Sequence, residues 1–287
     1  GPSYTDGCRA LVQWAAEDAK KKGTNAPKFV HMGDNHPYPN APKEACAAYA
    51  KELGFTVIDP IQYSMKPGDF KAQCLSLKES GASYAYLANT SGSTISLLKS
   101  CETVGVSTQF LGNVWAMDEA AIKASGDAAN GMIFVVGAAD WKSTAAGMAT
   151  LREISKISDP TGTEYRPLHY IRGVCSAYFM RDAMVIADKT SDGVTGPQIK
   201  KAMEALKDHV PSGLEGVCLP STWTGDARWG GRFDGGTGPP GPRGPTAPAP
   251  RGLERGLIHA RSGTVTAGAS ADREGTDPDG QQYRGGL

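Results

Sequence analysis

The sequence predicts an α/β fold in which a parallel sheet carries helices on both faces. Short apolar runs recur from residue 28 onward: KFVHMG (28–33), FTVIDPIQY (55–63), SYAYLAN (83–89), TQFLGN (108–113) and GMIFVVG (131–137). Between them lie stretches with apolar residues three and four apart, each long enough to return the chain for a parallel pairing. The runs lack strict apolar–polar alternation, as expected of strands covered on both sides. In such sheets ligands bind in the crevice outside the carboxyl ends of the strands, so the loops after these runs are where function is expected.

Taken in order, Asp6–Lys22 reads as an amphipathic helix with Leu11, Trp14, Ala15 and Ala19 on its apolar side. Its lysine-rich end followed by Gly23 suits the helix dipole and a glycine cap. The run 28–33 leads through GDNHPYPNAP to a helix over 42–53, with Pro42 in the first turn, where its missing N–H is harmless. Asp69 is placed to cap the next helix, which carries Cys74. After the run 83–89, NTSGST supplies hydroxyls to cap a helix over 94–103. The run 108–113 leads to Trp115, to Asp118 as a cap, and to a helix over Glu119–Ser125. Past Ala139 the rhythm changes to three helices, over 144–157, 168–189 and 196–207, with a strand candidate at 216–219.

Composition excludes several classes. Lys plus Arg and Asp plus Glu number 30 each, so the net charge is zero. No basic stripe points to nucleic acid. No apolar run approaches the ~20 residues that span a bilayer. The chain opens Gly1-Pro2-Ser3 without a signal peptide, and further sequence upstream is expected. From Gly231 to Leu287 roughly a third of residues are Gly or Pro, without a Gly-X-Y register. The segment 225–287 is therefore expected to be a disordered tail or the product of a shifted reading frame.

The six cysteines form no CxxC pair, so zinc-ribbon and thioredoxin chemistry lack their spacing. Cys46, Cys74 and Cys101 fall on successive helices. A Cys74–Cys101 bridge is the preferred pairing, with buried free thiols as the alternative. His31 and His36 do not have the spacing of a helical metal site, so no metal is expected. The loop GDNHPYPN lacks the glycines of a phosphate cradle, and no GxSxG nucleophile motif occurs. An enzyme is not expected.

The stretches KFVHMGDNHPYPNAPKEACAAYAKELGFTVIDP, PGDFKAQCLSLKESGASYAYLANTSGSTISLLKSCETVGVSTQFLGN and SGDAANGMIFV, in this order and spacing, resemble the distal lobe of type I periplasmic binding proteins. The similarity is closest to the leucine/isoleucine/valine-binding branch that serves ABC importers, and it extends over about residues 1–224. It implies the periplasmic-binding-protein-like I fold: two α/β lobes joined by three crossings, with ligand held between them. Residues 5–139 would be the second lobe, and 140–224 the C-terminal part of the first lobe with the hinge return.

The resemblance also implies a site. Tyr38 matches an aromatic residue that flanks the ligand in the branched-chain group. Asn89, Thr90 and Ser91 match positions that line the cleft. The acid that receives a ligand ammonium group is replaced by Val114 beside Trp115, which leaves room for an aromatic or aliphatic carboxylate stacked on Trp115. Tyr4 lies near the first hinge crossing. His169 and Tyr170 resemble the hinge-proximal segment, where a structural role is expected. The part of the family pattern without counterpart here carries the groups that hold a ligand carboxylate. The implied function is a monomeric, non-enzymatic periplasmic substrate-binding protein without cofactor. It would pass a small amino acid or carboxylate to an ABC permease and have no nucleic-acid partner. A ligand-sensing domain of the same fold in a receptor or regulator is the alternative.

Overall fold

The computed structural model describes residues 3–225, together with the backbone of Gly230–Gly231, Leu257–Arg261 and Thr264–Ala267. Helix α1 (Tyr4–Lys21) is capped by Ser3, whose hydroxyl accepts from the Asp6 N–H at 3.0 Å. There follow β1 (Lys28–Gly33), the short α2 (Pro37–Asn40), α3 (Lys43–Glu52), β2 (Thr56–Val57) and β3 (Ile61–Gln62). Next come α4 (Lys71–Ser80), β4 (Tyr84–Leu87), α5 (Ser91–Thr103), β5 (Gln109–Gly112), α6 (Glu119–Ser125) and β6 (Ile133–Val135). The chain then runs through α7 (Met148–Ser155), α8 (Leu168–Asp188), α9 (Gly196–Ala205) and the two-residue strands β7 (Ser221–Thr222) and β8 (Gly230–Gly231). Strands β9 (Leu257–Arg261) and β10 (Thr264–Ala267) complete the order.

The main sheet has the order β10-β9-β6-β5-β4-β1-β2, with β3 also on β1. Its β2, β3, β1, β4, β5 and β6 pairings are all parallel. The sequence run 55–63 becomes two strands rather than one, β2 and β3, which share the same edge of β1. Pro60 explains the break: it cannot donate to the ladder, and it restricts Asp59 before it. Within the tail expected to be disordered, β9 pairs antiparallel with β6, and β10 with β9. The other residues of that expectation lie outside the described ones.

Side chains alternate between two apolar layers along each strand. Val30, Met32, Ala85, Leu87, Phe134 and Val136 point toward α4, α5 and α6, whose Leu77, Leu97, Leu98 and Ile122 complete that core. Phe29, Tyr84, Tyr86, Ile133 and Val135 face the other way, onto Leu11, Val12 and Ala15 of α1 and Ala50 of α3. From β1 the chain moves outward to β2 and β3 and then returns to β4 on the other side of β1. The switch point therefore lies between β1 and β4, and the loops leaving those strands frame the crevice.

Two disulfides tie helices within these layers. Cys74–Cys101 joins α4 to α5 with Cα atoms 4.9 Å apart, the pairing preferred from sequence. Cys46 pairs with Cys8 of α1, and Cys175 with Cys218. A third core gathers Ala138, Met148, Leu151, Ile171, Cys175, Phe179, Leu214, Val217 and Cys218 around α7 and α8. The strand candidate at 216–219 is not formed. Gly216 takes φ +75°, the N–H groups of Val217 and Cys218 turn back to Leu214 O, and only a single bridge links Cys218 to Ala138. Helix α8 leaves Met180, Met184, Val185 and Ile186 exposed. Among the described residues no helix is long and apolar enough to cross a membrane.

The caps differ from expectation in two places. Phe70, not Asp69, occupies the N-cap of α4, although the Asp69 carboxylate still accepts from the Lys71 N–H at 2.9 Å. Thr90 is the N-cap of α5 but makes no side-chain cap bond. Asp118 does cap α6, accepting from the Ala121 N–H at 2.7 Å.

His31, on β1, is a buried titratable group that holds the loop after that strand. Its Nε2 lies 3.0 Å from Pro39 O, and because a carbonyl only accepts, Nε2 carries the proton. Burial lowers its pKa from 6.5 to about 4, with a smaller contribution from the charge of Lys43. The unfolded chain therefore binds more protons than the folded one between these values, and stability is lost as pH falls from about 6.5 to about 4. At 1.36 kcal/mol per pH unit the loss is about 3 kcal/mol. Urea unfolding at pH 7, 5 and 4 should show this fall, and His31→Gln should flatten it. Parallel wild-type and variant curves would mean that His31 is not the group responsible.

Candidate functional site

The loops that leave β1, β4 and β5 meet at the carboxyl edge of the sheet, and two buried asparagines knit them together. Asn89, at the end of β4, is fully buried. Its Oδ1 accepts from the Asp34 N–H at 2.9 Å, and its Nδ2 donates to Tyr63 O and Ser64 O at 3.1 and 3.2 Å. Asn89 thus spans the switch point as a brace. Backbone groups engage both ends of its amide. Asp34 extends the bracing, with its carboxylate accepting from the N–H groups of Asn35 and Met65 at 2.7 and 2.8 Å.

Asn113 follows β5 and does the same one strand over. Its Nδ2 donates to Leu87 O and Asn89 O at 3.0 and 3.1 Å. Its Oδ1 accepts from the Tyr38 hydroxyl at 2.9 Å and from the Trp115 N–H at 2.6 Å. One side chain therefore fixes both aromatic residues singled out from the sequence. Burial pushes the Tyr38 hydroxyl well above its ordinary pKa, so it stays protonated and donates.

Tyr4 joins this pair from α1. Its ring meets that of Tyr38 edge-on at 5.0 Å, and its hydroxyl accepts from Trp115 Nε1 at 3.2 Å. Tyr4, Tyr38 and Trp115 are thus brought together as an aromatic wall, a usual element of small-molecule sites. Trp115 remains 40% exposed. Thr90 and Ser91 stand on the same edge at the start of α5, the former exposed and the latter half-buried.

Two further residues come from α8. The His169 ring stacks on Trp115 with centroids 5.1 Å apart and planes at 28°. Arg172 places its guanidinium carbon 4.7 Å from the centre of the Trp115 ring. His169 and Arg172 are three apart on a helix and so share a face. Asp118 Oδ2 lies 3.5 Å from His169 Nε2, and this contact with His169 holds the Asp118 carboxyl below its usual pKa. Sequence reasoning misses Arg172 and Asn113, and it gives His169 a structural role only. The helical spacing of His169 and Arg172 is the signal that could find them.

A separate concavity of about 500 Å³ opens among Lys22, Ser83, Gln109, Asp127 and Gly131. It lies at the amino ends of β4 and β5, opposite the crevice, and contains none of the aromatic wall. Among the described residues no group of three or more His, Cys, Asp or Glu side chains is arranged to hold a metal ion.

This architecture has known counterparts. The chain is similar to a branched-chain amino acid ABC transporter protein from Thermus thermophilus with bound valine, with TM-score 0.68, 18% identity, and 92% of this chain and 64% of that one covered. It is also similar to a leucine-binding protein from Thermotoga maritima, with TM-score 0.65 and 13% identity over 92% and 65% of the two chains. A fatty acid ABC transporter substrate-binding protein from Thermomonospora curvata gives TM-score 0.65 and 16% identity over 80% and 57%. The chain thus spans about two thirds of the length of the first structures it matches. No curated protein sequence matches it. A family model described as periplasmic binding protein matches residues 1–228, and by that match, with this sheet order and these neighbours, the chain belongs to the periplasmic binding protein family.

Proposed function

We propose that this chain acts as a solute-binding protein that captures a small amino acid or an aromatic or aliphatic carboxylate at the carboxyl edge of its sheet. The convergence of Tyr4, Tyr38 and Trp115 there, fixed by Asn113, supports this reading most directly. Ligand would be released to an ABC permease after hinge closure. Contacts made only in the closed form would shift the population toward it, so the permease would meet loaded protein. Three buried disulfides suit the oxidising periplasm. Residues 5–139 would form the lobe that carries the aromatic wall, and 140–224 the segment returning from it. Thr90 and Ser91, at the start of α5, would add hydroxyl and backbone N–H groups along the same edge.

A thermal-shift panel of leucine, valine, phenylalanine, benzoate and 4-hydroxybenzoate tests this reading. A ligand at a hundred times its Kd adds about 2.7 kcal/mol, a rise of roughly 5–10 °C for a chain of this size. A melting temperature unmoved by every member of the panel would count against the proposal.

A further inference from the structure

Arg172 stands out among the cations of the described residues. It is half-buried, and burial lowers its pKa, partly opposed by the nearby Tyr4. Yet no carboxylate of the described residues lies within 4 Å of it. The nearby acids are engaged elsewhere. Asp118 accepts from the Ala121 N–H and faces His169, and Glu119 accepts from the Leu168 N–H at 2.9 Å and from the Tyr165 hydroxyl at 3.0 Å. The contacts Arg172 does make are weak and neutral: the Trp115 ring face, and His169 Nδ1 at 3.4 Å. With Nε2 of His169 turned to Asp118, Nδ1 serves Arg172 as an acceptor. A half-buried guanidinium without an anion keeps a fork of donors free, and that fork matches a carboxylate.

The surroundings are shaped for this side chain. At Gly137, where the chain leaves β6, an added Cβ would stand 3.1 Å from Arg172 Nε, so glycine there leaves the guanidinium its room. On its other side lies the wall of Trp115, Tyr4 and Tyr38. A ligand beside that wall would present an acidic group to Arg172, and the carboxylates of Asp118 and Glu119 are already engaged.

We infer that Arg172 is the anion anchor of this site, and that the site selects a planar aromatic monocarboxylate without an amino group over the corresponding amino acid. The inference rests on the cleft-binding reading above and names the ligand class and the residue that sets it. No reaction is involved; the step is an ion pair replacing water around the guanidinium.

Calorimetric titration of the full chain with benzoate, benzamide and phenylalanine, on wild type and Arg172→Gln, tests it. Wild type should bind benzoate at least tenfold more tightly than either of the others. Arg172→Gln should lose roughly 10- to 100-fold for benzoate, the range for a hydrogen bond to a charged group, while benzamide is unaffected. Arg172→Lys keeps the charge without the fork and should fall between, and it still tests the anchor should the glutamine variant not fold. Equal benzoate affinity in wild type and the Arg172 variants would overturn the anchor while leaving the cleft reading in place. Phenylalanine or benzamide binding wild type as well as benzoate would overturn the selectivity. If wild type binds none of the three probes and leucine and valine also fail, the cleft reading falls and the anchor with it.

Discussion

Replacing Cys175 and Cys218 together by alanine should lower the unfolding free energy by about 4 kcal/mol and unravel the α7–α8 core before the sheet. The bridge closes a loop with a sequence separation of 43. For a loop of that length the chain-entropy relation gives about 4 kcal/mol. The loss should be felt locally because, among the described residues, the core around α7 and α8 has beside it only the two-residue, two-stranded sheet β7–β8 and isolated bridges. Its strand-like links are the single bridge between Ala138 and Cys218, the bridge between His209 and Ser221, and the two-residue pair β7–β8. Cys175 and Cys218 both sit inside that core, with Ile171, Phe179, Leu214 and Val217. Hydrogen exchange on the double variant should show lost protection in α8 and in residues 214–218, with β1, β4 and β5 unaffected. A loss under 1 kcal/mol, or protection falling evenly over the whole chain, would show that the bridge does not hold this core.

The parallel part of the sheet was legible in the sequence because its strands are short apolar runs closed by a turn residue or loop, whereas β9 and β10 fall in the tail expected to be disordered. Glu119–Ser125 has the bounds its pattern predicts, and the run 28–33 is a strand over its whole length. The failures have local causes. Pro60 splits one apolar run into two strands on the edge of β1. Val217 and Cys218 bury into the α7–α8 core from a turn, and a short apolar run does not reveal whether it is a strand or a buried turn. Cys46 looks like a partner for its neighbours on successive helices, but α3 packs beside α1, so it meets Cys8 instead.

The aromatic residues of the candidate site could be singled out from the sequence, and what holds them could not. Tyr4, Tyr38 and Trp115 are large and fall in loops or at a helix start, where core packing does not account for them. Asn89 sits in the same kind of place but is buried under the loops it joins, and only the folded arrangement shows that its amide braces them. Arg172 belongs to a helix far along the chain, and its position over Trp115 follows from the return of α8 to the sheet edge.

Asn113 should prove the most sensitive single position of the site. It is 2% exposed, and its four hydrogen bonds join the ends of β4 and β5 to Tyr38 and to the backbone of Trp115. Asn113→Leu keeps the volume and leaves Asn89 O, the Trp115 N–H and the Tyr38 hydroxyl without their partner, while Leu87 O keeps the backbone N–H of residue 113 at 3.2 Å. A buried polar group left unpaired costs about 1–3 kcal/mol. The exposed side of Trp115 lets water recover part of this, so the expected loss is about 4 kcal/mol in urea unfolding. Tyr38→Phe removes one bond of the set and should cost about 1 kcal/mol. The difference matters for binding as well. Tyr38→Phe leaves the wall standing, with ligand affinity reduced only modestly. Asn113→Leu frees both aromatic residues at once and should abolish the ligand-induced rise in melting temperature, even at a temperature where the variant is fully folded. If Asn113→Leu destabilises no more than Tyr38→Phe, the wall is held by its own packing, and the asparagine is incidental to it.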